Sequence, residues 1–264
     1  MTKFVLQLLA MMFMLCDHMC ATIMSQHIWL HWIGRLAFPI FAFMLVEGYV
    51  HTSSFKKYVK RMFCFALLAE IPLNLCSAGD FFYPFHQNVM WTFLISLFCM
   101  RTLDKIFGLK GKEGTTTQNN VIGAIGKVMM AVAMVGIFYW LCFLTFVDYY
   151  GYGLLMVLVF YFSRKFANWY TKVTAKAFPK VMKMAFEAIA MYYINVEMIS
   201  GEIRYLTLFG DQIAVTIQGL AVLALPLIWL YHGQQGYHSK GWQYFCYAFY
   251  PVHMLILGLM WMYL

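Results

Sequence analysis

Residues 34–52 read GRLAFPIFAFMLVEGYVHT. As a helix this stretch is apolar on nearly every face, which belongs either at the centre of a large protein or in a bilayer. Yet it opens on Arg35, holds Pro39, carries Glu47 near its end and closes on His51. Arg35 and Glu47 stand 12 residues apart, about 18 Å along one helix, so they cannot pair with each other. Pro39 lacks a backbone N–H and frees a carbonyl near the start, which predicts a kink. Gly34 and Gly48 permit close helix approach. A span with a charge at each end and a break between them reads as the wall of a crevice filled by water or ligand. Arg35 would face an outer chamber and Glu47 an inner one.

The rest of the chain supports a membrane setting. Of its 264 residues, 63% are hydrophobic, 19% aromatic and only 11% charged, far from the roughly 25% charge of soluble domains. The expectation is a single integral membrane domain over residues 1–264, an all-α helix bundle. Apolar stretches recur near residues 4–24, 33–50, 59–76, 87–107, 123–146, 150–163, 184–200, 211–231 and 243–263, which predicts about nine spans. The opening MTKFVLQLLAMMFMLC resembles a signal peptide, but the apolar run passes Asp17 and His18 without a small-residue cleavage site, so a retained first helix is expected. The seven cysteines form no C-x-x-C pair, and neither a disulfide framework nor a zinc site is indicated.

Loop charge gives the orientation. Lys3, the second connection (Lys56, Lys57, Lys60, Arg61), the fourth (Arg101, Lys105, Lys110, Lys112, Lys127), the sixth (Arg164, Lys165, Lys172, Lys176, Lys180, Lys183) and Lys240 of the eighth place 17 of the 19 basic residues on one side. Only Arg35 and Arg204 fall elsewhere, which predicts a cytoplasmic N-terminus in a multi-pass protein of the cell membrane. The net charge of +8 then follows from topology and anionic lipid, and no nucleic-acid partner is needed. In the sixth connection Phe166, Trp169, Tyr170, Val173 and Ala177 recur at helical steps between lysines, as in a helix lying in the interface. It would serve as a lipid anchor or as a basic cover for an anionic cofactor. No inverted repeat of the transporter type is visible.

Ionisable side chains inside spans cost at least a few kcal/mol each, so each is a functional candidate. They are Asp17 and His18 on the first span, Arg35 and Glu47 on the second, Glu70 on the third, Glu187 on the seventh and His253 on the ninth. At about 1.5 Å per residue, Asp17, His18, Glu70 and Arg35 fall in the outer half with Asn74, Gln87 and Asn88, His253 near the middle, and Glu47 and His51 at the inner end. A lone buried guanidinium is too costly, so Arg35 should be held by Asp17, Glu70 or both. A network that merely fixes helix registry is the plainer alternative. For His18 a functional reading is favoured, because a titratable imidazole beside an acid is an expensive way to pack an apolar wall. His27 and His31 have metal-like spacing but no third ligand nearby, so no metal is expected. Asp148 and the following YYGYG read as an outer turn.

At this point the residues resemble a known family. CDH at 16–18, GRLAFPIFAFMLVEGYVHT at 34–52, KYVKR at 57–61, AEIPLNL at 69–75, QNVMWT at 87–92, DYYGYGLL at 148–155, LYHGQQG at 230–236 and YFCYAFYPVHMLIL at 244–257 are similar, in order and spacing, to the TraX family. That family is named for a conjugation protein that N-acetylates the amino terminus of pilin, and is grouped with transmembrane acyltransferases that use acetyl-CoA. LYHGQQG departs from the family's Tyr-Asn-Gly-x-x-Gly by placing His232 at the Asn position. The resemblance implies a bacterial inner-membrane N-acetyltransferase with acetyl-CoA as co-substrate and a peptide or small-molecule amine as acceptor. The implied catalytic set is Asp17, His18, Arg35, Glu70, Asn88 and His253, with Glu47, His51, Lys57, Arg61 and Tyr250 toward the CoA side. His18 would act as general base or carry the acetyl group, with His253 its rival; Arg35 and the Asn88 amide would stabilise the thioester oxygen, and Asp17 and Glu70 would position Arg35. A homo-oligomer is compatible with all of this. The rival readings are a proton-coupled secondary transporter using the same buried charges and a purely structural assembly factor.

Overall fold

The computed structural model describes residues 1–108, 121–199, 201–208 and 211–263. Among these residues, ten α-helices run α1 (Lys3–Ala21), α2 (Ile28–Gly34), α3 (Ala37–His51), α4 (Phe55–Ala78), α5 (Val89–Ile106), α6 (Val121–Leu144), α7 (Tyr150–Thr174), α8 (Lys180–Tyr192), α9 (Ala224–Trp229) and α10 (Lys240–Tyr263). A wider helical turn over Tyr193–Met198 extends α8, and a tight one over Ile217–Leu223 leads into α9. Short polar side chains start the helices where the sequence offers them. Thr2 accepts from the Val5 N–H, Ser54 from Lys57 and Asn88 from Met90.

The opening stretch lies at the centre. Helix α3 is buried along almost its whole length, from Ala37 to Tyr49, and packs on α1, α7 and α9. Helix α6 is just as apolar, yet Ile122, Met129, Trp140 and Leu144 are all exposed, as on a helix facing lipid. Helix α10 lies along α4, where Gly258 admits the Cys76 backbone.

Four helical segments among the described residues are both long and apolar enough to cross a membrane: Lys3–Ala21, Ile28–His51, Ile122–Leu144 and Lys240–Tyr263. The chain is therefore mostly helical and membrane-embedded, but not all-α. A hairpin of β1 (Ile203–Leu208) and β2 (Asp211–Thr216) pairs Ile203 with Thr216. Its second strand takes up the start of the predicted eighth span, where the β-branched Ile213, Val215 and Thr216 favour a strand. What remains, Ile217–Trp229, is a shorter apolar helical segment.

Two further expectations are corrected. The second span breaks at Arg35–Leu36, ahead of Pro39, which sits in the first turn of α3 where a missing N–H is harmless. Helix α7 runs unbroken past residue 163 to Thr174, so the aromatic and basic stripe from Phe166 is the end of that helix rather than a separate interfacial one. Lys110 and Lys112 lie outside the described residues.

The ends of the elements sort into two groups. Lys3, His51, Arg61 and His238 line one cavity, and the backbone N–H groups of Lys3 and Phe4 bond to the carbonyls of Gln234 and Gln235. Gly233 and Gly236, at φ 75° and 69°, make the turn this docking needs. At the opposite end Gln87 pairs with the 146–148 backbone and Arg35 reaches Gln218.

Candidate functional site

Of the charges expected in the outer half, Asp17 meets Arg35. Its Nη2 lies 2.5 Å from Asp17 Oδ2, and its Nη1 donates to Gln218 Oε1 at 3.2 Å. Gln218 Nε2 donates to Asn195 Oδ1 at 2.8 Å, and His31 Nδ1 lies 2.8 Å from Asp17 Oδ1. Gly34 makes this approach feasible, because a Cβ there would overlap the Asp17 side chain. The result is a polar seam from α1 through the α2–α3 junction to the residues before α9. Arg35 Nε is buried without a hydrogen-bond partner among the described residues.

Glu70 does not join this seam. Its Oε1 accepts from the Asn88 backbone N–H at 3.3 Å, from the Asn88 side-chain amide and from Trp91 Nε1 at 2.6 Å. The expectation that Glu70 helps hold Arg35 is thus corrected. Asn88 is corrected with it: the amide also donates to the Ala66 carbonyl, and its oxygen caps the Met90 N–H. With both amide hydrogens and the oxygen engaged at zero exposure, Asn88 ties α4 to α5 and has no N–H left for a thioester.

His18 and His253 come together. Their rings stack with centroids 4.9 Å apart, and His18 Nδ1 lies 2.6 Å from His253 Nε2. The proton positions follow from the neighbours. His253 Nδ1 is 2.6 Å from the Phe249 carbonyl oxygen, which can only accept, so His253 Nδ1 carries a hydrogen. In neutral His253 the Nε2 then accepts, His18 Nδ1 must donate to it, and the lone pair of His18 resides on Nε2. The two imidazoles are therefore not equivalent: His18 has the free base, and His253 fixes its tautomer. Asp17, adjacent to His18 in sequence, plays no part in that hydrogen bond.

A cavity of about 320 Å³ opens at the basic end, rimmed by Lys3, His51, Arg61 and His238. Met11, Met14, Val89 and Phe93 wall its interior, and Tyr250 lines it as well. The Tyr250 ring lies 6.0 Å from that of His18 and 5.8 Å from that of His253, so it stands between the cavity and the imidazoles. Arg61 keeps a buried Nε–H without a partner among the described residues. Of the residues expected toward a CoA group, His51, Arg61 and Tyr250 line this cavity, whereas Lys57 and Glu47 do not. Glu47 turns instead to Arg164, with His51 Nδ1 3.6 Å away.

Several buried polar groups escaped the sequence. Asp104 is fully buried, accepting from Tyr49 at 2.6 Å and Tyr161 at 2.8 Å with Lys165 Nζ 2.7 Å away. Between Arg101 and Lys105 it reads as part of a charged loop. Gln218, Asn195 and Trp91 carry no charge and leave no mark in an apolar run. Glu187, flagged as a buried acid, bonds Ser163 at 2.6 Å and Trp229 at 2.8 Å. No group of three or more His, Cys, Asp or Glu residues among those described is arranged to hold a metal ion.

These features define a membrane-embedded helical protein with a polar seam and an imidazole pair inside it. A sequence profile described as TraX protein matches residues 3–261, and the chain belongs to the TraX family. It is also similar to the "Probable fimbrial assembly protein FimC, serogroup H1" of Dichelobacter nodosus, 24% identical over 271 residues that cover 97% of this chain and 94% of the relative. No solved structure matches.

Proposed function

We propose that this TraX-family protein is a transmembrane N-acetyltransferase. It takes acetyl-CoA at the basic end of the bundle and transfers the acetyl group to an amine, at a peptide N-terminus or on a small molecule, on the other side. In this reading the chain crosses the cell membrane about nine times, with the N-terminus in the cytoplasm. The observation that carries the proposal is the cavity reaching from Lys3, His51 and Arg61 to Tyr250, one ring away from a histidine whose lone pair is fixed on Nε2. A cavity of that size suits a flexible thioester arm, with nucleotide phosphates held at the basic rim and the unpartnered Arg61 Nε–H as an anion donor. The mostly apolar wall of Met11, Met14 and Phe93 suits the arm itself.

In the reaction the amine nitrogen attacks the thioester carbonyl carbon and its proton passes to His18 Nε2. Arg35, with its free Nε–H, is the donor for the oxyanion. The C–S bond breaks and the sulfur leaves as the thiol, taking the proton back from His18. Tyr250 must turn aside for the acetyl group to reach the imidazole. The test is His18→Ala in purified full-length protein, with thiol release from acetyl-CoA and mass spectrometry of a primary-amine peptide as readouts. Activity should fall about 10²- to 10⁴-fold with an unchanged unfolding midpoint. Full activity in that variant would end the assignment. Substrate counterflow in proteoliposomes without any thioester would instead favour a transporter using the Asp17–Arg35–Gln218–Asn195 seam.

A further inference from the structure

A second cavity, about 900 Å³, lies between the latter half of α7 and the start of α8. Its wall is aromatic, with Phe162, Phe166 and Trp169 from α7, Phe178 from the connection and Phe186 from α8. Phe166 and Trp169 are 51% and 56% exposed, so these rings face the surroundings rather than the core. Lysines rise from the same wall: Lys165, Lys172 and Lys183.

Charge decides what fits there. From Arg164 to Phe186 the chain has six basic residues and no acidic one. Three are balanced inside the protein, Arg164 by Glu47, Lys165 by Asp104 and Lys183 by Glu187 at 3.8 Å. Lys172, Lys176 and Lys180 have no carboxylate partner among the described residues. The site thus joins an apolar cup to uncompensated positive charge, at the end of the bundle where Arg164 meets Glu47. A small anion would leave the rings unused, and 900 Å³ is near the top of the range for ligand pockets, about 300–1,000 Å³. An amphiphile with acyl chains and a negative headgroup uses both halves. Lysine stems lie along apolar surface while their heads reach polar groups, which gives Lys172 the reach to a phosphate at the rim.

We propose that this cup holds a phospholipid of net negative charge, its chains against Phe166, Trp169 and Phe178 and its phosphate on Lys172. The proposal is independent of the acetyl-transfer reading. The experiment is native mass spectrometry of the purified full chain after exposure to mixed phosphatidylglycerol and phosphatidylcholine vesicles. Wild type should retain one phosphatidylglycerol in preference to phosphatidylcholine. Lys172→Gln should weaken retention about fivefold, the effect of one lysine near an anionic lipid surface, whereas Lys172→Arg and the distant Lys240→Gln should leave it intact. Equal retention of the two lipids would overturn the proposal, as would undiminished retention in Lys172→Gln. Release of the lipid by inorganic phosphate would also overturn it, because the site would then be one for soluble anions.

Discussion

Helix α3 carries Glu47 near its C-terminal end and follows Arg35 at the α2–α3 break, and the two charges are neutralised in different ways. Near the C-terminal end Glu47, with 9% of its side chain exposed, is held by Arg164 and approached by His51. Neither Glu47 nor Arg164 lines the cavity, and the pair ties α3 to α7. At the α2–α3 break Arg35, 15% exposed, is shared between Asp17 and Gln218 and still has a buried Nε–H without a partner among the described residues. Buried polar groups are nearly always satisfied, and an exception calls for an explanation such as a catalytic role. A closed pair fixes registry. An unfinished one, beside an imidazole with a free lone pair, is where a reacting group can be held.

That difference is open to direct attack, most forcefully through Asp17. Asp17→Asn leaves a buried guanidinium without its counter-charge and should destabilise the protein by about 3–5 kcal/mol. Replacing both partners, as Asp17→Asn with Arg35→Met, should restore much of that stability, because a buried ion pair exchanged for neutral groups of similar volume is often close to neutral. Acetyl transfer should stay lost in the double variant. Thermal unfolding in detergent alongside the peptide acetylation assay reads both quantities. Activity returning together with stability would make Arg35 a structural residue and erase the contrast.

The Glu47 end should respond the opposite way. Glu47→Gln keeps the shape but removes the charge facing Arg164, and should cost about 1–3 kcal/mol in unfolding free energy. The folded fraction should acetylate as well as wild type, since Glu47 does not line the cavity. Loss of activity at unchanged stability would move Glu47 into the working site.

How much of this was legible beforehand depends on what leaves a trace in an apolar sequence. Charges do, so Asp17, His18, Arg35, Glu47 and His253 stood out, and loop lysines marked the end where the N-terminus, the 51–61 segment and the 235–240 segment gather. Pairing does not, because the rotation of one helix against another is set by packing. Glu70 was therefore offered to Arg35 when Trp91 and Asn88 hold it, and the His18–His253 contact joins residues 235 apart. Asn88 was visible as a polar residue at a span end, but its service as helix cap and strut was not. The β1–β2 hairpin was hidden because six-residue strands such as IRYLTL and DQIAVT are hard to separate from a short helix by pattern alone.

The smallest expected effect probes the connection before α5. His86 Nε2 lies 3.7 Å from Asp148 Oδ1 in the connection before α5. The facing carboxylate of Asp148, helped by the charge of Glu70, raises its pKa above the ordinary histidine value despite partial desolvation. A folded-state value above the unfolded one means that folding favours the protonated form. The added stability is complete below the unfolded pKa of about 6.5 and is lost as pH rises through the raised folded value. The side chains are 40% and 37% exposed, and solvent screening holds the effect below about 1 kcal/mol. The unfolding midpoint of wild type should thus exceed that of His86→Gln most at about pH 5, with the gap closing by about pH 8. At the Glu47 end the guanidinium of Arg164 stays charged over this whole range, and His51, 64% exposed, is largely screened. The Glu47→Gln penalty should then be flat with pH. A slope at the Glu47 end, or a His86 gap that widened with pH, would mean that the two ends of α3 are not electrostatically distinct in the way their contacts indicate.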